Sequence, residues 1–544
     1  MLDPSVAEFT LSEAKGSLGM TTLSALRPLY PVRSPLDAPH PSTLDARPPM
    51  LFLRSLLDRP WRSLLLLGGF GIGVGVMIVL LSVGEAMLVQ ARDERLVGGG
   101  EVTVLPEGLD VEVMKTGGLG GLFFSIANAR FLDRQLLSAP RLAQQVRAVA
   151  PQIEGKLLYL RAADGREWPV RASGEIPSAT AAVGAMPALA AGRWEDDDAD
   201  RRWLRPTPVE LRHDLDRFHH TPDGVADTDR WAEWHYFNVL SADRRRWAFV
   251  TLMVGGDVPD GEWGGRVLIT THGDAAADRR FAVDVPAARV RLSTTEADLR
   301  VGGASVTVLP DGRYRLVAAA PAIDGRGGSA EVELVVAPAA GAYFPGVDLG
   351  GDAIVSGYAV PALRASADGR VCVAGRCETL AGAQAYHDHN WGIWRRVDWE
   401  WGAARAGDLT FLYGRVQPTD GSAEVAPLLL YVVDSLGFLT LFRPRAIAYE
   451  DGRTVTVDGR TIRVPSRALL ADARGRDTLR IEIEVEHATV TDMRAGFVGR
   501  GDAASAAEIV RPYFVQMKGR ARLTGRIGGR VLRGEGTGFF ETYR

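Results

Sequence analysis

Tyr386, His387, Asp388, His389, Asn390, Trp391 and Gly392 stand in one unbroken run. Two of the chain's nine histidines therefore share seven residues with a carboxyl, a phenol, an amide and an indole, a density that a purely structural strand does not require. Read as a strand, the run alternates its side chains between two faces. Tyr386, Asp388 and Asn390 fall on one face. A carboxyl set among hydrogen-bonding neighbours there suits general acid chemistry when buried, because burial raises its pKa. His387, His389 and Trp391 fall on the other face. Two imidazoles at that spacing suit a metal, but no third ligand is visible, so neither a metal nor any other cofactor is assigned. The bland alternative is an interior network in which Tyr386 and Asn390 hold Asp388 to brace a joint.

The elements that must position this run are spread over 544 residues, too many for one core, which predicts about two to four domains. A net charge of -4 leaves no electrostatic footprint for nucleic acid. Residues 1–49, rich in Pro, Ser and Leu without a sustained period, read as a disordered cytoplasmic tail or as the product of a mis-called start before Met50. Ser63 to Leu81 carries no charge and matches the hydrocarbon thickness of a bilayer, so residues 50–90 read as a single membrane anchor. Arg54, Arg59 and Arg62 before it place the N-terminus in the cytoplasm of a bacterial-type inner membrane and the bulk of the chain in the periplasmic or extracellular space. Gly68, Gly69, Gly71, Gly73 and Gly75 are either ordinary membrane-helix glycines or a face for close packing on a partner helix.

Beyond the anchor, residues 91–204 mix strand patterns with a helix around Arg130–Val149 and read as a smaller α+β external domain. The acidic run Glu195–Asp200 reads as a linker closing it. From residue 205 onward alternating runs and tight turns, at Pro310-Asp311-Gly312 and Asp458-Gly459 for example, predict antiparallel barrels or sandwiches. A weak repeat, Trp231–Val254 against Val397–Val416, divides this half into units at 205–380 and 381–544. Cys372 and Cys377 flank Ala374-Gly375. A two-residue turn there opposes the thiols, which then form a disulfide outside the cytoplasm or remain two small buried thiols. His213, His219 and His220 lie in a polar, loop-like stretch and are expected to be exposed. Trp394, Trp399 and Trp401 read first as packing at a barrel floor and second as the wall of an apolar site.

Two resemblances extend this reading. The run from Arg59 through the glycine-studded helix resembles the first helix of macrolide-exporter-type ABC transporter permeases, and residues 89–200 loosely resemble their external domain; ABC transporter subunits are the partners this implies. Glu233-Trp234-His235-Tyr236-Phe237, followed by the Tyr386–Gly392 run and by Gly534–Glu541, resembles the carotenoid 1,2-hydratase (hydroxyneurosporene synthase) family and its AttH-like relatives. That resemblance implies two lipocalin-like antiparallel β-barrels over residues 205–544. It makes Asp388 the proton donor and Tyr386 its neighbour, with Glu233, Trp234, Tyr236, His387, His389, Asn390, Trp391, Trp399 and Trp401 as motif or ligand-lining residues. A His and a Trp that the hydratases place upstream are missing from Gly357–Leu363. The expectation is a mainly β, membrane-anchored protein that holds a hydrophobic lipid or isoprenoid. The alternative is an enzyme that hydrates or isomerises an apolar polyene, and a third reading is a structural subunit with filled barrels.

Overall fold

The computed structural model describes residues 60–92, 102, 104, 126–161, 166–184, 195–219, 231–257, 261–273, 278–349, 356–393, 397–418, 428–457, 459–492 and 511–544. The N-terminal compact unit contains helix α1 (Pro60–Arg92), which starts on a proline, the residue that most readily opens a helix. Its first 23 residues, Pro60–Ser82, are long and apolar enough to cross a membrane, about 35 Å at 1.5 Å per residue.

The second unit is mainly β. It opens with α2 (Ile126–Leu137), the hairpin β1 (Gln152–Arg161) and β2 (Glu167–Glu175), and three short helices, α3 (Pro177–Ala182), α4 (Asp198–Leu204) and α5 (Pro208–Asp216). The acidic run expected to be a linker instead starts a helix. Asp197 accepts a hydrogen bond from the Asp200 amide, and the Asp200 side chain answers the Asp197 amide, closing a capping box on α4. Thr207 and Glu210 do the same for α5. The helix expected over Arg130–Val149 is the shorter α2. It packs against the barrels: Phe131 meets Tyr343, just before the strand that starts at Phe344, edge-on at 5.0 Å, and past the helix end Arg141 donates to Asp434 at 2.6 Å.

Twelve strands form the first barrel-like sheet: β3 (Trp231–Leu240), β4 (Trp247–Asp257), β5 (Glu262–His272), β6 (Arg279–Pro286), β7 (Val290–Arg291), β8 (Leu299–Val301), β9 (Ala304–Val308), β10 (Tyr314–Pro321), β11 (Ser329–Pro338), β12 (Phe344–Leu349), β13 (Ser356–Val373) and β14 (Arg376–Ile393). The last strand, β14, pairs with the first, β3. At the other side β6 returns to the end of β10, where Ile323 donates to the Arg280 carbonyl at 2.9 Å. The sheet thereby curls around a filled core that includes Phe237, Phe281, Tyr314 and Leu299. β13 and β14 form one long hairpin whose turn residues Ala374 and Gly375 both have positive φ, +49° and +78°, as a tight hairpin turn with primed geometry requires. Cys372 and Cys377 face each other beside that turn and are joined by a disulfide. The hairpin keeps both strands in one sheet, so the first barrel continues to Ile393 and passes the division drawn at residue 380.

The second sheet has nine strands: β15 (Val397–Ala406), β16 (Leu409–Pro418), β17 (Leu429–Asp434), β18 (Gly437–Phe442), β19 (Ala448–Glu450), then, after a separate hairpin β20 (Arg453–Val457) and β21 (Arg460–Val464), β22 (Arg467–Arg474), β23 (Asp477–Asp492), β24 (Tyr513–Ile527) and β25 (Arg530–Tyr543). Again the first strand, β15, lies beside the last, β25. The hairpins β3–β4 and β15–β16, which carry the sequence repeat, therefore hold the same place in both sheets. Phe411, Tyr413, Phe442 and Phe540 fill the second interior. The two barrels meet along the outer faces of β14 and β3 from one and β15 and β25 from the other.

Candidate functional site

β14 is paired on both sides, with β13 and with β3, so its backbone is satisfied and its two faces are set by the pleat. The alternation expected from sequence holds. Tyr386, Asp388 and Asn390 point into the seam between the barrels, opposite Asn238, Tyr236 and Trp234 of β3. His387, His389 and Trp391 point into the first barrel, opposite Phe237, His235 and Glu233. Gly357 on β13 makes room for this second face, since a Cβ there would sit 2.3 Å from the Trp391 ring.

In the seam Asp388 is only 3% exposed. Asn390 donates to it through Nδ2 at 2.6 Å, and Tyr386 is its neighbour on the same face of β14. The Tyr386 oxygen in turn accepts from Trp401 Nε1 at 2.9 Å. Trp399 Nε1 donates to Glu541 at 3.1 Å, and Gln516 donates to the other Glu541 oxygen at 3.1 Å. Trp401 is thus not a floor residue of the second barrel: β15 presents it toward Tyr386 and Tyr358 of the first, while Trp399 packs among Glu541, Phe514 and Tyr543 of its own sheet. Burial, reinforced by the Glu541 carboxyl, pushes Asp388 up to about 8, and burial raises Glu541 too. At neutral pH Asp388 is therefore a carboxylic acid with a proton to give. On the Tyr386 side lies a small cleft of about 20 Å³, lined by Asn238, Leu363, Arg364, Gln384, Tyr386, Arg405 and Phe539 among others; Asp388 is not in its lining.

The opposite face of β14 gathers a different set. Asp216, the last residue of α5, is wholly buried, as are His235, His387 and His389. His387 Nε2 lies 2.8 Å from Asp216 Oδ2, and its Nδ1 lies 3.0 Å from the Tyr236 carbonyl. His389 spans two carboxylates, with Nδ1 3.0 Å from Asp216 Oδ1 and Nε2 2.8 Å from Glu233 Oε1. Burial opposes its charged form, but those carboxylates prevail and hold His389 at about 9. Burial instead drives His235 well below the usual histidine range, so its ring is neutral. His219 corrects the expectation of exposure: its main-chain N–H donates to Glu233 at 3.0 Å, and its ring stacks on Trp391 at 3.7 Å. His213 is half-buried too, its Nδ1 accepting from the Ala297 amide at 2.8 Å. His220 and Trp394 lie outside the described residues.

Of the site residues named from sequence, Tyr386, Asp388, Asn390, Trp399 and Trp401 come together in the seam. Glu233, His387, His389 and Trp391 come together inside the first barrel. Trp234 and Tyr236 lie on the outer face of β3, Trp234 packing on Met253. The Cys372–Cys377 bond sits at the far tip of the β13–β14 hairpin from both groups. Sequence reasoning missed Asp216, whose only signal was its place at the end of a capped helix, and Glu541, which appeared only as the last residue of a glycine-rich closing pattern.

The fold and site therefore define a membrane-anchorable, mainly β protein of two lipocalin-like barrels with titratable groups on both faces of strand β14. No family model matches the chain, and no curated protein matches it. Among solved structures the chain is similar to a putative AttH from Nitrosomonas europaea, at 14% identity over 60% of this chain and 97% of that one, with a TM-score of 0.39. It is similar as well to CghA with Sch210972, at 14% identity over 62% and 95% of the two chains with a TM-score of 0.36. For kievitone hydratase from Nectria haematococca the values are 12%, 60%, 95% and 0.35.

Proposed function

We propose that the seam is an acid-catalytic site for an apolar, unsaturated substrate such as an isoprenoid, with Asp388 as the proton source and Tyr386 as its relay. One observation carries this reading: the buried Asp388, pushed up to about 8, shares a strand face with Tyr386, which lines the cleft. Protonating an alkene carbon needs a neutral acid in a dry setting and polarisable surfaces for the carbocation that forms. Tyr386 passes its proton to the alkene and takes the proton of Asp388. Water then adds to the cation, and its surplus proton returns to the Asp388 carboxylate, so the net change is addition of water. Loss of a neighbouring proton from the cation gives an isomer instead.

The second reading is retention of a hydrophobic ligand at the same cleft. It draws on the apolar wall residues Leu363, Ala403 and Phe539, which share the small cleft with Arg364, Gln384 and Arg405, whereas the barrel interiors themselves are occupied by packed side chains. The two separate by experiment. Detergent-purified protein is incubated with an acyclic isoprenoid polyene in heavy-oxygen water. Label in the product that disappears with Asp388→Asn and Tyr386→Phe supports catalysis. Retained polyene without label, unchanged by Asp388→Asn, sinks catalysis in favour of binding. We place the barrels on the non-cytoplasmic side of the membrane, a placement the Cys372–Cys377 bond supports because disulfides persist in oxidising compartments. ABC transporter subunits are the partners we propose for α1, through its glycines. Co-purification of permease subunits with the detergent-solubilised chain, lost when Gly71 and Gly75 are replaced by leucine, tests that contact.

A further inference from the structure

The inner face of β14 holds a concentration of ligating groups that the seam chemistry does not use. Asp216, His235 and His389 come from α5, β3 and β14, and one nitrogen or oxygen of each lies within 4.8 Å of the others. His389 Nδ1 is 3.0 Å from Asp216 Oδ1, and His235 Nδ1 is 3.8 Å from Asp216 Oδ2. Despite this proximity no aligned hydrogen bond reaches Asp216 Oδ1, either ring nitrogen of His235 or either ring nitrogen of His389. A buried network built for hydrogen bonding aims donors at acceptors and rarely leaves so many groups unserved. Donors built around a common centre converge on that centre instead of on one another. Bound tetrahedrally at about 2.0–2.1 Å, two ligand atoms lie roughly 3.3 Å apart, close to the 3.0 Å between His389 Nδ1 and Asp216 Oδ1.

We propose that Asp216, His235 and His389 form a site for a single divalent transition-metal ion of the Zn²⁺ class. Two imidazoles and one carboxylate match that class, whereas Mg²⁺ and Ca²⁺ prefer oxygen ligands throughout. The surroundings have the form that orients such ligands. Glu233 backs the outer nitrogen of His389 at 2.8 Å, and His219 fixes Glu233 through its main-chain N–H. His387 ties the second oxygen of Asp216 at 2.8 Å and is itself held by the Tyr236 carbonyl. Three protein ligands leave a fourth position for an exchangeable water. A second His–Asp–His group, His272, Asp278 and His487, differs in the decisive respect. Its Asp–His contacts, at 2.7 and 3.0 Å, are formed hydrogen bonds, so it needs no ion and serves as the internal control.

The test uses the full-length protein in detergent, stripped with a chelator and titrated with Zn²⁺ alone by calorimetry, with elemental analysis after desalting. One equivalent per chain is expected. Binding should fall at least tenfold with Glu233→Gln, vanish with His235→Gln, and persist with His272→Gln. Near-ultraviolet circular dichroism records whether each variant is folded. Co²⁺ offered to the stripped wild-type chain should give the intense visible absorption of a four-coordinate site, a readout that needs no variant. The proposal is overturned if the wild-type chain takes up no stoichiometric Zn²⁺. It is equally overturned if folded His235→Gln binds as the wild type does, if His272→Gln abolishes binding, or if Co²⁺ shows only the pale absorption of an octahedral ion.

Discussion

Replacing Asp388 with asparagine tests the physical basis of the seam most directly. Burial pushes Asp388 up to about 8 in the fold, from an ordinary aspartate value of 3.8. Its folded pKa is raised, so between those values the unfolded chain loses the proton while the folded chain keeps it. Stability is therefore greatest below about pH 4, declines by about 1.4 kcal/mol per pH unit as pH rises toward 8, and levels off above it. The full interval sets a ceiling of roughly 6 kcal/mol, a large share of the marginal stability of a folded protein. Asparagine has nearly the same shape, still accepts from Asn390 and never ionises, so it escapes this penalty. Asp388→Asn should unfold at nearly the same urea concentration as wild type at pH 4 and at a progressively higher one toward pH 8. The assay is tryptophan fluorescence across urea series at several pH values in one detergent. Because Glu541 adds to the elevation, Glu541→Gln should shrink the pH-dependent gap between Asp388 and its asparagine variant. Parallel curves for wild type and Asp388→Asn would refute the reasoning: the carboxyl would then be ionised normally in the fold, and no acid would wait in the seam.

Tyr386→Phe leaves the buried Trp401 N–H unmet, so a loss of about 1–3 kcal/mol is expected. A double-mutant cycle with Trp401→Phe should show coupling of about 0.5 kcal/mol or more, and additive losses would mean the two rings do not share that bond. Asp133 is buried with one oxygen unpartnered and is raised by burial to about 6. Its ionisation cost appears as pH climbs from about 4 to 6, so Asp133→Asn should stabilise by about 2 kcal/mol at pH 7.5 and hardly at all at pH 4, read from melting temperatures at the two pH values. Reducing Cys372–Cys377, which closes a loop of sequence separation 5, should lower stability by about 2 kcal/mol or less. A larger drop would show that the bond does more than shorten the unfolded chain. Deleting residues 63–81 should release a protein that stays in solution without detergent, and a product that still sediments with membranes would place an attachment outside α1.

Much of this architecture follows from pattern alone. An uncharged apolar run of bilayer length can only be a helix of α1's kind. The period of two along Tyr386–Trp391 separates the acid from the imidazoles whatever the rest of the chain does, because the pleat is a property of the backbone. Ala374-Gly375 between facing cysteines announces its own turn. Local rules of this sort have no knowledge of what lies across a strand face. Asp216 meets His387 from 171 residues away because a capped helix seats its last residue inside the first barrel. Glu541 reaches the seam only because the chain's last strand lies beside β15. The same distinction explains the indoles. Sequence marks Trp399 and Trp401 as large apolar residues, but which side of a closed sheet they occupy depends on how β15 pairs with β25. Turns, spans and alternation were written in neighbouring residues. The protonated acid and the crowded carboxylate–imidazole centre exist because tertiary packing removes water from groups that, along the chain, are strangers.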